Sequence, residues 1–499
     1  MKIDNVTYCL INNAERRPHH TAVIDGDRQI DYQMLELHVE RFAGALKEQG
    51  VAAGQIVGVS MKDTIELIVI IFSLMRLGAI LLPFDFRWTA AERRAVAAAF
   101  QAKLIITDTP FVPVEKTRSI VIDQAWQTAA MAAPAVTGWS TTADSPVMLS
   151  LSSGTTGTPK GPLVTHGLYM ARFFYESMAV SSTQDDVNMC ALPMYFGAGR
   201  NITLQHLMMG ATVVMYTPPY EAAELALEIN RRNVNSVFLV PTIIRRLLKL
   251  SNPEGVLFPK LRALISGAAP LYEEEVRRVR QALTPNLYVS YGTTEAGVIC
   301  YLTPQHEDRK LGSVGKPAFL SDVKILDDNY NPLPQGEIGR ISFDTPAVPS
   351  GFYKNPQATA ESFHGGRFLP GDLGRVDEEG YVFIVGRSKD MILRAGVNIY
   401  PGDVESSILM HEAVVDAAVV GWHIGEKGEE VAAVVVVKSS VSEADLIEHC
   451  RGLIAPYKVP RRIFFADKLP RSEGGKIAKA RIAALLPDKL DGKLKSEMD

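Results

Sequence analysis

Residues 149–161 read LSLSSGTTGTPKG, and their types point to one kind of chemistry. Ser152, Ser153, Thr155, Thr156 and Thr158 offer hydroxyls, and Lys160 adds one cation. Gly154, Gly157 and Gly161 let the backbone turn tightly and bring its N–H groups close to a ligand. Hydroxyls, amides and an ammonium together suit the phosphate tail of a nucleoside triphosphate. This is not a Walker A loop, which requires G-x-x-x-x-G-K-[ST]. The fifth residue after Gly154 is Pro159, and Gly161 follows Lys160. By composition alone the run also matches a flexible linker. The strand-like 146–151 before it and the Pro-Lys-Gly that ends it weigh against a linker.

Further clusters follow along the chain. Tyr288-Val289-Ser290-Tyr291-Gly292-Thr293-Thr294-Glu295 is a strand-like run ending in a turn with one carboxylate. By itself it is equally a helix start capped by Thr293 or Thr294. Ser266-Gly267-Ala268-Ala269-Pro270 follows another short apolar run. Gly371-Asp372 and Gly386-Arg387 carry a carboxylate, which suits a ribose diol, and a guanidinium that can reach the ribose or a phosphate. Singly, each is an ordinary surface-turn residue, and so is Lys476 in Pro470-Arg471-Ser472-Glu473-Gly474-Gly475-Lys476.

In order and spacing these segments resemble the signature motifs of the adenylate-forming superfamily, which holds acyl- and aryl-CoA synthetases, luciferases and the adenylation domains of peptide synthetases. The resemblance covers nearly the whole chain. It implies that Ser152, Ser153, Gly154, Thr155, Thr156, Gly157, Thr158 and Lys160 hold the ATP phosphates, with Thr155 and Lys160 assisting catalysis. It implies that Gly267, Ala268 and Ala269 border the adenine, that Tyr291 stacks on it, and that Gly292, Thr293 and Thr294 complete the nucleotide site. Glu295, with Ser152, is the implied contact for Mg²⁺; one carboxylate on a phosphate-bridging hard cation is normal. Asp372 and Arg387 correspond to the ribose-binding pair, Asp390 to the hinge, and Gly396 to the channel through which a thiol enters. Lys476 corresponds to the lysine that neutralises charge at the α-phosphate during adenylation. Phe196, Ala198 and Ser290, with Gly267, line the implied acyl pocket.

The chain also departs from the pattern. Phe196 stands where many CoA synthetases have His, so a hydrogen-bonding role there is lost. Glu473 is unusual beside the catalytic lysine and could pair with Lys476 in the resting state. Arg200 is expected to be a surface or structural residue rather than a partner for a second substrate carboxylate. Gly197-Ala198-Gly199-Arg200 begins like a dinucleotide fingerprint, but Ile202 occupies the third glycine position. His166 and His411 are read as structural, helix-start residues.

The elements that must position these residues are legible in outline. The chain has 499 residues, 47% hydrophobic and 22% charged, enough for two or three domains. Up to about residue 320 strands alternate with helices, as at 22–25, 30–32, 32–49, 56–60, 104–107, 119–122, 212–216, 221–232, 236–240, 243–250 and 261–266. That predicts an α/β fold of mostly parallel sheets, with ligands at the carboxyl ends of strands. The apolar stretch 67–84 is broken by Arg76 and Gly78 and reads as a buried helix, 66–77, and strand, 79–83, not a membrane span. Residues 321–386 read as a β subdomain of short strands, at 322–328, 339–344 and 380–385. The expected division is an AMP-binding N-terminal domain, 1–387, and a small mobile α+β C-terminal domain, 388–499, carrying Lys476, with strands at 416–420 and 430–437 and a helix at 443–454.

A net charge of −4 and no basic block argue against nucleic acid. Four scattered cysteines and no signal peptide lead to the expectation of a reduced, cytoplasmic protein, and a homodimer is left open. The expected reaction is AMP-forming ligation of a carboxylic acid to CoA, with ATP, Mg²⁺ and CoA as co-reactants. The segment 455–460, APYKVP, is similar to one common in CoA-using members. No appended carrier-domain pattern follows Lys476. A stand-alone adenylation enzyme that loads a carrier protein and a non-catalytic nucleotide-binding regulator are the alternatives. The small or apolar pocket favours an aromatic or a short-to-medium aliphatic acid over a dicarboxylate, and no Asp near residue 195 favours an amino acid.

Overall fold

The computed structural model describes residues 3–110, 117–151, 160–250, 255–394, 397–423, 429–471 and 476–487. Its contacts group into two compact units: Met1–Asp322 with Phe343–Phe368, and Val323–Ser342 with Leu369–Asp499.

The first unit holds two sheets. In the larger, the parallel strands Thr21–Asp25, Thr212–Met215, Val187–Cys190, Ser236–Leu239, Ala263–Ser266 and Leu287–Thr293 lie side by side. Gly297–Leu302 then pairs antiparallel with Leu287–Thr293. The central strands Thr212–Met215, Ser236–Leu239 and Ala263–Ser266 are buried throughout, as in a sheet covered on both faces. The smaller sheet places Ile56–Ser60 between Leu104–Thr107 and Ile80–Pro83, and continues to Pro146–Leu149 and Leu163–Thr165. Helix Ile65–Leu77 is buried along almost its whole length and ends at Gly78, whose φ of +70° glycine adopts without strain. Arg76 sits inside that core, its guanidinium 2.7 Å from Glu36 and bonded to Thr7. The sequence-based strands and helices of this unit lie within a few residues of the observed ones. Helices Tyr8–Arg16, Ala90–Ala99, Gln124–Ala130, Gly197–Met209 and Glu273–Ala282 and strands Val187–Cys190 and Gly297–Leu302 were not among those expectations, and of helix His166–Ala179 only the start was.

In the second unit, Val414–His423 and Glu429–Val437 form an antiparallel pair, joined in parallel by Arg462–Phe465. Alternation of side chains splits the two faces. Ala417, Val419, Val431, Ala433 and Val435 pack with Ile392, Val404, Ile408 and Leu446. Ala418, Val420, Trp422, Ala432 and Val434 pack with Leu469, Ile482 and Leu486. Helices Pro401–Leu409 and Glu443–Arg451 therefore cover one face and helix Lys479–Leu485 the other. Two corrections apply to the sequence reading. The segment expected to be all-β also contains helix Pro356–Ser362, capped by Asn355 with Pro356 in its first turn. His411 follows helix Pro401–Leu409 rather than starting one, and its Nδ1 accepts the Ala413 N–H.

His166 is the first residue of helix His166–Ala179, after the capping residue Thr165, and is fully buried. Its Nδ1 accepts the Val6 N–H at 3.2 Å, and burial pushes its pKa from 6.5 down to about 4. The unfolded chain therefore takes up this proton first. The stabilisation is complete above pH 6.5 and is lost as pH falls toward 4, reaching roughly 3 kcal/mol. Urea midpoints followed across that interval should fall more steeply for the natural protein than for His166→Asn, which keeps an acceptor but cannot titrate.

Candidate active site

Three loops leave the carboxyl ends of neighbouring parallel strands in the first unit. They follow Val187–Cys190, Ala263–Ser266 and Leu287–Thr293, and the strands between them are paired in continuous register. Loops so placed converge on one edge of an α/β sheet.

The turn after Leu287–Thr293 is a β-hairpin, not the alternative helix start. Tyr291 faces Cys300, and Thr293 faces Gly297 across it. Thr293 Oγ1 accepts the Ala296 N–H, which leaves the half-buried Glu295 at the tip. Gly292 is required because a Cβ there would lie 2.4 Å from the Gly297 carbonyl oxygen. The strand before this loop is tied to its neighbour by Ser290, whose Oγ donates to the Ser266 carbonyl at 3.0 Å. A Cβ on Gly267 would lie 2.5 Å from that Oγ and 2.8 Å from the Ser290 carbonyl oxygen. Ala268 follows with a φ of +69°, a conformation uncommon for a residue with a side chain. Backbone held off its preferred region beside a close-approach glycine is typical of a ligand-binding loop.

Phe196 caps helix Gly197–Met209 and is half-buried, its ring 4.1 Å from that of Tyr195. The loop that delivers it is braced from below. Asp63 accepts the Met194 N–H at 2.8 Å, and burial raises its carboxyl to about 6. Arg87, paired with Asp85 at 2.7 Å, donates to the Tyr195 hydroxyl. Arg200 is structural: it is buried and donates to the Met194 and Tyr195 carbonyls at 3.1 Å each. Ala198 and Ile202 pack against a cluster containing Phe238, Ile265, Tyr288 and Tyr301. Phe238, Ile202 and Val298, with Glu176, Gln205 and His206, line a cavity of about 30 Å³, large enough for a water-sized group.

The glycine-rich stretch itself, Ser152 to Thr158, lies outside the described residues, as does Gly396. Both ends of the stretch are placed. The Ser150 N–H donates to the Pro162 carbonyl, and Gly161 accepts the Tyr353 N–H at 2.9 Å. Lys160 lies 5.8 Å from the centre of the Phe352 ring.

The model of the AMP-binding enzymes matches residues 10–353, and that of the AMP-binding enzyme C-terminal domain matches 403–476. The chain belongs to the AMP-binding enzyme family. Among its relatives is the 2-succinylbenzoate–CoA ligase of Bacillus licheniformis, 31% identical over 95% of this chain and 98% of the relative. That of Geobacillus kaustophilus is 32% identical over 94% and 96%. Among solved structures, o-succinylbenzoate CoA synthetase from Bacillus subtilis, in complex with the acyl-adenylate intermediate, superposes with a TM-score of 0.85 at 26% identity, covering 97% of this chain and 98% of that one. ATP-bound MatB from Rhodopseudomonas palustris gives 0.87 at 26% identity, covering 96% and 98%.

In this AMP-binding enzyme the expected residues of the second unit divide into two places. Asp372 and Arg387 face each other across an antiparallel pair, with the guanidinium 3.0 Å from the carboxylate. Arg387 also donates to the Pro370 carbonyl at 2.6 Å. Asp390 ends the short helical turn Ser388–Asp390 that follows. Lys476 is exposed, next to Ile477, which forms an antiparallel bridge with Arg471; Glu473 lies outside the described residues. Among the described residues no three His, Cys, Asp or Glu side chains converge on a metal site. Glu295, a half-buried carboxylate at the hairpin tip, is a hard oxygen donor of the kind Mg²⁺ takes.

Sequence reasoning missed the support beneath Glu295. Arg172, 1% exposed, donates to the Glu295 carbonyl and, at 3.4 Å, to that of Ala347. The Tyr175 hydroxyl donates to the Ala296 carbonyl at 2.7 Å. Glu176 accepts the Val298 N–H at 3.0 Å and the Gln205 amide at 2.6 Å. The available signal was an Arg and a Glu one turn apart inside the otherwise apolar helix His166–Ala179. Replacing Arg172 by Met leaves buried carbonyls without a donor, a loss of about 1–3 kcal/mol. We expect Arg172→Met to lower the urea midpoint accordingly and to weaken MgATP binding about tenfold by calorimetry. Phe174→Ser, at an exposed position of the same helix, should change neither.

Proposed function

We propose that this chain is an AMP-forming acid–CoA ligase. In the first half-reaction a carboxylate oxygen of the acid attacks the α-phosphorus of ATP, the bond to the pyrophosphate oxygen breaks, and an acyl-adenylate forms. In the second, the CoA thiolate attacks the acyl carbonyl carbon and AMP leaves. The observation that carries the reading is the Ser266–Ala269 loop, with its close-approach glycine and left-handed Ala268, leaving a strand paired in register with Leu287–Thr293, which leads into the Glu295 turn.

The chain's own residues act by positioning and charge neutralisation. Thr155, Thr156 and Lys160, with Ser152, Ser153, Gly154, Gly157 and Thr158, take the phosphates; Gly267, Ala268, Ala269, Tyr291, Gly292, Thr293 and Thr294 take the adenine side. Mg²⁺ at Glu295 and Ser152 would spread phosphate charge. Asp372 and Arg387 hold the ribose, and Lys476 neutralises the charge that builds at the α-phosphate. Asp390 is the hinge about which the C-terminal domain, 388–499, turns between half-reactions, and Gly396 borders the thiol channel. The four free cysteines, three of them buried, suit a reducing cytoplasmic setting. No helix among the described residues is long and apolar enough to cross a membrane.

For the acid, the pocket residues the resemblance assigns, Phe196, Ala198 and Ser290, are apolar apart from one hydroxyl, which suits an aromatic ring. The relatives' names make 2-succinylbenzoate the first acid to try. That compound carries a second carboxylate, and Arg200 spends its Nη1 on two backbone carbonyls. The test is a panel of 2-succinylbenzoate, benzoate, 4-phenylbutanoate and hexanoate with ATP, Mg²⁺ and CoA. We expect AMP and acyl-CoA in equal amounts with an aromatic member, and a fall of about 10²–10³ for Lys476→Ala. AMP without thioester would move the acceptor to a carrier protein. No AMP with any acid would remove the enzyme reading.

A further inference from the structure

A lysine that neutralises charge in a transition state has four rotatable bonds to fix, so its backbone must be held. The second unit supplies that hold at both ends of the segment carrying Lys476. On the near side, Arg471 donates to the Asp416 carboxylate, and both side chains are largely buried, at 28% and 19% exposure. Asp416 sits in strand Val414–His423 opposite Val436, and its other oxygen accepts the Ala417 N–H at 3.1 Å. On the far side, Lys479 lies 2.7 Å from Glu405, whose side chain is 8% exposed. The same Glu405 oxygen accepts the Val419 N–H at 2.8 Å, which ties helix Pro401–Leu409 to the strand holding Asp416. The two ends are then drawn together. Arg471 and Ile477 form an antiparallel bridge, and the Ala478 N–H donates to the Pro470 carbonyl at 2.8 Å.

Surface ion pairs contribute little to stability. Two part-buried pairs anchored on one strand and closing one short segment have a geometric use instead. We propose that Asp416–Arg471 and Glu405–Lys479 are positioning pairs for Lys476, acting on adenylation alone. This rests on the reading of Lys476 given above. Thioester formation, which does not use Lys476, is independent of both pairs.

The experiment compares the wild type with Asp416→Asn, Glu405→Gln, Arg471→Lys, Lys476→Ala and Asp416→Asn/Lys476→Ala. The acid is the panel member that the wild type adenylates fastest. Adenylation is followed by acid-dependent exchange of pyrophosphate into ATP. The second step is followed as thioester formation from the chemically prepared acyl-adenylate and CoA, which also reports that each variant is folded. Asp416→Asn and Glu405→Gln should lower exchange about tenfold, the scale of a group displaced by a fraction of an ångström. Their thioester step should stay within twofold of wild type. Arg471→Lys, which keeps the charge, should restore most of the exchange rate. The double variant should be no slower than Lys476→Ala, because residues acting as one unit are not additive. Equal losses in both half-reactions, unchanged exchange in Asp416→Asn and Glu405→Gln, or an additive double variant would overturn the proposal. Unchanged exchange in Lys476→Ala would instead overturn the assignment of Lys476 on which it stands.

Discussion

A guanidinium removed from water, Arg172, spends its hydrogen bonds on the backbone of the Glu295 turn. Much else in the first unit follows from that arrangement. A buried charge is tolerated only where polar partners surround it, so the helix carrying Arg172, the turn and the Ala347 carbonyl must stay in one relation. Tyr175 and Glu176 extend the same floor to Ala296 and Val298. Gln205 then links it to helix Gly197–Met209, whose first turn bears Phe196 and Ala198. The Glu295 turn and the start of helix Gly197–Met209 thus rest on one buried polar network.

The second unit solves a different problem. Its three-stranded sheet is apolar on both faces and needs helices on each. Helix Lys479–Leu485 closes one face, and in doing so fixes the chain just after Lys476. The packing that covers this sheet therefore also fixes the chain on one side of Lys476. Asp372 and Arg387 are fixed by an antiparallel pair within the same unit.

Sequence made part of this visible. Most parallel strands were legible because each is a short apolar run between turn residues; Val187–Cys190, interrupted by Asn188, was not. The family motifs were legible because their residue types are dictated by phosphate, ribose and cation chemistry. Of helix His166–Ala179 only the start, at His166, was read, because its buried Arg172 and Glu176 interrupt the apolar stripe that marks an amphipathic helix. Pairings such as Asp416 with Arg471, 55 residues apart, have no local signal at all. The hairpin at Glu295 was ambiguous because Gly-Thr-Thr-Glu serves a helix cap equally well; Gly292, where a Cβ meets the opposite strand, decides it. Arg200 looked like a surface or structural cation and proved to be a structural one, since the carbonyls it serves lie on its own helix's approach.

The central claim is that the acid passes through an acyl-adenylate before the thiol attacks. It is tested most directly with the active panel acid labelled with ¹⁸O in its carboxylate, converted with ATP, Mg²⁺ and CoA, and the AMP examined by mass spectrometry. Attack of the carboxylate on the α-phosphorus followed by thiolysis at the carbonyl predicts one labelled oxygen in every AMP formed. Unlabelled AMP, or ADP in its place, would contradict the account.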